Sequence, residues 1–77
     1  QLINLDILQS LIDNKVIDST KEVNSDQLYA ARILKRITDE YKVLGRGDIK
    51  SAITINASLI SKSAREKIEK IGGKILS

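Results

Sequence analysis

Ser61-Lys62-Ser63-Ala64-Arg65-Glu66-Lys67-Ile68-Glu69-Lys70-Ile71-Gly72-Gly73-Lys74 reads as a capped helix with a basic outer face, stopped by two glycines. Ser63 and Glu66 have the Ser-x-x-Glu spacing of a capping box, in which each side chain covers the other's free backbone donor. Ala64, Ile68 and Ile71 fall at i, i+4 and i+7, one stripe able to face a core. Lys62, Arg65, Lys67, Lys70 and Lys74 are left for the other surfaces. Gly72 offers the left-handed conformation that ends a helix.

Upstream of this helix, residues 52 to 59 alternate as a half-buried strand does. Ile53, Ile55, Ala57 and Leu59 share one face, and Ala52, Thr54, Asn56 and Ser58 the other. Lys74 to Leu76 reads as a closing strand. Strand, helix, strand in that order implies parallel pairing with a right-handed crossover. Tyr41 to Leu44 is β-like, and Gly45-Arg46-Gly47-Asp48 is a tight turn. Further out, Asn4 or Asp6 caps a first helix to about Asn14, with Leu5, Leu8, Leu11 and Ile12 as its stripe and Ile7 on the flank. Lys15 to Asp18 turns into a short extended piece, and Ser19-Thr20-Lys21 is loop. Ser25 caps a shorter second helix with Leu28 and Ala31 inward and Asp26 placed to suit the helix dipole. Ile33 to Ile37 fits helix continuation and strand equally. With no internal repeat, low-complexity tract or linker, the expectation is one small α/β domain.

Composition narrows the chemistry. The 77 residues include thirteen Ile and nine Leu but no Phe, Trp, Met or Pro, so the core must be aliphatic, with Tyr29 and Tyr41 as the only aromatics. A core this small often leans on a bound partner or on flanking chain. There is no Cys and no His, which excludes disulfides, thiolate metal sites, Cys nucleophiles and imidazole bases. No apolar run approaches a membrane span, and no signal-peptide pattern opens the chain. Because it begins at Gln1 rather than Met, the chain is read as a fragment or a processed product. Charge is uneven: residues 1–31 carry two lysines against five carboxylates, a balance of −3. Residues 32–77 carry eleven Lys and Arg against five carboxylates, a balance of +6, which together restore the chain's +3. That asymmetry suits a one-sided contact with a polyanion, and equally a solvated Lys-rich surface.

Most candidate sites have a simpler account. Gly45-Arg46-Gly47 lacks both the third glycine of a dinucleotide loop and the Gly-Lys-Ser/Thr of a nucleoside-triphosphate loop, since Asp48-Ile49-Lys50 follows. Its glycines permit positive φ in a turn, and an Arg between them can press against RNA phosphates. Asp39 and Glu40 are neighbours that need not share a site, Glu66 is taken up by its cap, and no calcium-loop spacing is present. Ser58, Ser61 and Ser63 leave only a Ser–Lys arrangement with Lys62 or Lys67 as base, and capping explains Ser63 and Ser61 more simply. An enzyme is therefore not expected, nor is any cofactor, metal or small-molecule substrate. The basic set Lys42, Arg46, Lys50, Lys62, Arg65, Lys67, Lys70 and Lys74 gathers around the glycine turn and the last helix, whose N-terminus itself favours phosphate. With no aromatic pair to stack unstacked bases, contacts to the phosphates and shape of folded RNA fit best.

Tyr41-Lys42-Val43-Leu44-Gly45-Arg46-Gly47-Asp48-Ile49, then residues 52–57, then Ser61 to Gly73 resembles the C-terminal domain of large-subunit ribosomal protein fifteen. The shared order is a Lys-Val-Leu-Gly-x-Gly turn, an alternating strand, and Ser-x-Ser-Ala-x-x-Lys-Ile-Glu-x-x-Gly-Gly. Ile3-Asn4-Leu5-Asp6, Leu11-Ile12-Asp13 and Ile17-Asp18 resemble the matching upstream region, more in its mitochondrial than its bacterial branch. Large-subunit ribosomal protein eighteen of archaea and eukaryotes shares the Leu-Gly-x-Gly and Ser-Ala-x-x-Lys-Ile elements, but the Asn4-Leu5-Asp6 opening favours the first family. The resemblance implies an irregular superhelix of strand-strand-helix turns with short parallel pairing. It also implies a non-catalytic role on ribosomal RNA and a glycine- and arginine-rich N-terminal extension, absent from residues 1–77. Ile60 stands where the family usually has an aromatic.

The expectation is a structural constituent of the large ribosomal subunit, in the mitochondrial matrix or alternatively the bacterial cytoplasm. It would bind ribosomal RNA through Lys42, Arg46, Lys50, Lys62, Arg65, Lys67 and Lys74, beside neighbouring ribosomal proteins and away from membranes. The rival is a small α/β protein-interaction module that docks through an apolar surface.

Overall fold

The computed structural model describes residues 1–57 and 59–76. Its elements run β1 (Leu2–Asn4), α1 (Leu5–Asp13), α2 (Ser25–Ala30), β2 (Lys42–Leu44), β3 (Thr54–Asn56), β4 (Leu59–Ile60), α3 (Lys62–Lys70) and β5 (Lys74–Leu76). Every pairing is parallel. One sheet has the order β1-β2-β4, and the other pairs β3 with β5. Val23 extends the second sheet by one bridge to Ile55, donating to the Thr54 carbonyl at 2.7 Å and accepting from the Asn56 N–H at 2.8 Å. Parallel partners cannot be joined by a tight hairpin. α1 and α2 lie between β1 and β2, and α3 between β3 and β5, whereas β2 reaches β4 through the β3 segment without a helix.

The core is aliphatic, with Tyr41 its one aromatic. Ile3 and Val43 face inward from the first sheet, Ile53, Ile55 and Ala57 from the β3 segment, and Leu5, Leu8, Leu28, Ala64 and Ile68 from the helices. Tyr41 is buried with its hydroxyl donating to the Asn56 carbonyl. Burial, and then the nearby Glu22 carboxylate, raises its pKa above the usual phenol value.

Residues 52–59 do not form one strand. β3 pairs with β5, whereas β4 pairs with β2 in the other sheet, so one alternating face does not run through both. Leu59, expected inward, is 55% exposed opposite Lys42, and Ile60, opposite Val43, packs on the core instead. Ser58, expected on the outward face, lies outside the described residues. β1 carries too few residues to announce itself; pairing recruits it, starting with the Lys42 N–H to the Gln1 carbonyl at 2.9 Å. Residues 33–37 are neither helix nor strand, and turn back with Leu34 buried.

Helix ends also differ from expectation. The N-cap of α3 is Ser61, whose side chain accepts from the Ala64 N–H, so Ser63 lies inside the first turn and the Ser63–Glu66 capping box does not form. Asn24, not Ser25, caps α2 by accepting from the Gln27 N–H. Asn4 occupies the N-cap of α1 without a side-chain bond, while Asp6 accepts from the Ile7 N–H. All three C-termini close alike, with a left-handed residue and paired backward hydrogen bonds: Lys15 (φ 58°), Arg32 (φ 63°) and Gly72 (φ 85°). Only α3 has basic residues in its last turn, Lys67 and Lys70; α1 and α2 have none. At those two ends the left-handed residue is itself a cation, which offsets part of its backbone cost against the helix dipole.

Candidate nucleic-acid interface

The glycine turn is wedged between the starts of two helices. A Cβ on Gly45 would lie 2.1 Å from Ser63 Oγ and 2.7 Å from the Ala64 backbone nitrogen. One on Gly47, whose φ is +84°, would lie 2.4 Å from Asp6 Cβ and 2.9 Å from its backbone nitrogen. Positive φ therefore explains only Gly47; Gly45 is there for close approach.

Three successive carbonyls of the turn are held from inside. Lys67 Nζ donates to the carbonyls of Gly45 and Gly47, each at 2.8 Å. The Asp6 N–H donates to the Arg46 carbonyl at 3.2 Å. The segment that follows is anchored by Gln9, a buried polar residue absent from the sequence-based site. Its Oε1 accepts from the N–H groups of Lys50 (2.7 Å) and Ser51 (3.2 Å), and its Nε2 donates to Asp13 (2.9 Å) and Ser51 Oγ (3.3 Å). Only the helical spacing Leu5, Leu8, Gln9, Ile12 could have flagged it as inward-facing. The turn is thus a fixed platform with the Arg46 side chain exposed on it.

Beside the platform, Asp48, Ile49, Lys50, Lys67, Lys70 and Ile71 line an open hollow of about 380 Å³. The structure so brings Lys50, Lys67 and Lys70 together next to Arg46. Lys62 and Arg65 are exposed on the first turn of α3. Lys42 and Lys74 sit on strands of different sheets. Lys42 lies on the outer face of β2 between Leu2 and Leu59, and Lys74 opposite Thr54 on β5. Lys67, counted among the outward cations, spends two of its three donors on its own backbone.

Other chemistry finds no support. Among the described residues no cluster of carboxylates, Cys or His could hold a metal, and no helix is long and apolar enough to cross a membrane. Ser61 is a cap, and Lys67 is bonded to carbonyls rather than to a serine.

Residues 2–76 match the family model that joins ribosomal proteins 50S-L15 and 50S-L18e with their 60S counterpart. The chain belongs to this family. It is 47% identical over 73 residues to a protein named large ribosomal subunit protein uL15 from Rhodopseudomonas palustris strain BisB5. That match covers 95% of the chain and 45% of the relative. The protein of the same name from Paracoccus denitrificans is 40% identical over 74 residues (96% and 46%), and that from Petrotoga mobilis 39% over 61 residues (79% and 40%). The chain therefore spans a little under half the length of the curated relatives it matches. In this family member the turn, the alternating segment and α3 occur in the order the resemblance implied.

Proposed function

We propose that this chain is a structural constituent of the large ribosomal subunit that stabilises ribosomal RNA by phosphate contacts from its glycine turn and α3. The family match over residues 2–76 is the observation that carries this reading. The geometry supports it: a turn whose three carbonyls are held by Lys67 and Asp6 has its backbone already fixed, so that only the exposed Arg46 side chain is left to order when RNA arrives. Arg46, Lys50, Lys62 and Arg65 make the direct contacts, with Lys42 and Lys74 reaching RNA from the strands. Lys67 contributes its remaining N–H and its charge. No catalytic step, cofactor or small-molecule substrate belongs to this role. Residues 1–77 act as the C-terminal globular domain, and the RNA-threading extension implied by the resemblance belongs to the N-terminal part of the protein. Neighbouring ribosomal proteins are the partners suited to the exposed Leu2 and Leu59 on either side of Lys42. The three relatives are bacterial, which supports a bacterial ribosome in the cytoplasm; the mitochondrial matrix rests on the upstream residues alone, chiefly the opening Ile3-Asn4-Leu5-Asp6.

The test is a salt titration of binding to transcribed large-subunit ribosomal RNA. Wild type should weaken steeply as salt rises. Arg46→Glu with Arg65→Glu should bind more weakly, with the slope of log K against log salt reduced by about 0.9 for each phosphate no longer gripped. Binding that ignores both salt and the two substitutions would instead favour an apolar docking surface.

A further inference from the structure

A second cationic surface lies at the end of α2, apart from the glycine turn and α3. We propose that Tyr29, Arg32, Lys35 and Arg36 form a separate contact for single-stranded RNA, with an unstacked base on the Tyr29 ring and its flanking phosphates on the cations. This rests on the reading of the chain as an RNA-binding protein and adds a site to it.

Four observations meet here. Of the two aromatic side chains, Tyr41 is buried with its hydroxyl committed, whereas Tyr29 is 48% exposed. Tyr29, Ala30, Arg32, Leu34 and Lys35 line one open hollow of about 500 Å³, in which Leu34 is buried and Arg32 and Lys35 are exposed. A hollow lined by an exposed aromatic ring, an arginine and a lysine suits a nucleobase, which stacks on aromatic rings and on Arg alike. Between Asp26 and Asp39 the chain holds three cations and no carboxylate. The backbone supplies the last point: Arg32 sits at φ +63°, where glycine is the least costly residue.

The helix dipole is the competing account, since α2 has no basic residue in its last turn and a cation there recovers part of the cost. That explains one charge. Lys15 does the same at the end of α1, where Ile12, Val16, Ile17, Asp18, Ser19 and Gln27 line the adjoining hollow and no aromatic is present. The dipole leaves the exposed ring, Lys35 and Arg36 without a role.

Arg32→Gly separates the two accounts, because glycine relieves the backbone while removing the charge. Binding of this chain is measured by anisotropy to a labelled oligouridylate and to a blunt RNA duplex of the same length, with urea unfolding alongside. Arg32→Gly should be at least as stable as wild type. It should bind oligouridylate more weakly, with the salt slope reduced by about 0.7. Tyr29→Leu should weaken oligouridylate at least about fivefold and leave the duplex nearly unchanged, and Tyr29→Phe should restore it. An Arg32→Gly protein that is less stable yet binds as wild type would make Arg32 a helix-end cation only and overturn the proposal. So would unchanged oligouridylate binding in Tyr29→Leu. If Arg46→Gln weakens duplex binding while the α2 variants do nothing, the glycine-turn reading survives alone. If wild type binds neither probe, both readings fall.

Discussion

Lys67 shows how a single side chain can do something other than its charge suggests. By sequence it is one more cation on an exposed face. In the structure its ammonium joins two carbonyls on either side of Arg46, and so sets the direction in which that arginine points. Hydrogen bonds from a charged donor contribute about 1.5–3 kcal/mol when shielded from water, and less at a half-buried position such as this. Lys67→Met should therefore lower stability by about 1–2 kcal/mol in urea unfolding, while Lys67→Arg, which keeps the donors, should cost less. A Lys67→Met protein as stable as wild type would mean the clamp is decorative. Nothing in the sequence points to this role, because a lysine in the last turn of a helix carries no signal of which remote carbonyls lie within reach. Gln9 is hidden for the same reason: its partners at 50 and 51 are remote in sequence.

At the scale of elements, periodicity finds the helices and misplaces their ends. The stripe Ala64, Ile68, Ile71 is inward as its spacing requires. The Ser-x-x-Glu match, however, points to Ser63 as the cap, when Ser61 stands two residues earlier and takes that place. Ser61→Ala should cost about 1 kcal/mol, the usual loss for an N-cap. Ser63→Ala should be close to neutral, as at most helix-surface positions; thermal melts of the pair would reverse that order if the capping box were real. The split of residues 52–59 between two sheets is beyond pattern reading, since alternation records faces and not partners. The glycine turn is legible as a turn. Its position against the starts of α1 and α3 depends on tertiary packing that no local motif encodes.

For the molecule as a whole, fifteen buried apolar side chains form the core among the described residues, all aliphatic save Tyr41. A domain of this length commonly has a total stability of about 4–12 kcal/mol. Truncating a fully buried branched residue costs about 2–5 kcal/mol. Ile68→Ala, which cuts back the side chain that α3 buries in the core, should thus consume a large part of the whole. A melt with its midpoint well below that of wild type, partly recovered by saturating RNA, would show it. Recovery by RNA is the linkage expected if the folded form alone carries the basic platform. The α/β class, the parallel closing strand and the basic C-terminal portion can all be read in advance, because each depends on composition and spacing within a short window.

Parallel pairing throughout carries a consequence for how this chain is made. Leu2–Asn4 emerges during synthesis well before its partner Lys42–Leu44, which is translated about forty residues later, and β3 likewise waits for β5. No nascent fragment short of Ile60 can complete the first sheet, and none short of Leu76 the second. Folding is postponed until nearly all of these residues have been added, and loop closure over such separations makes it slow beside a helical bundle of equal size.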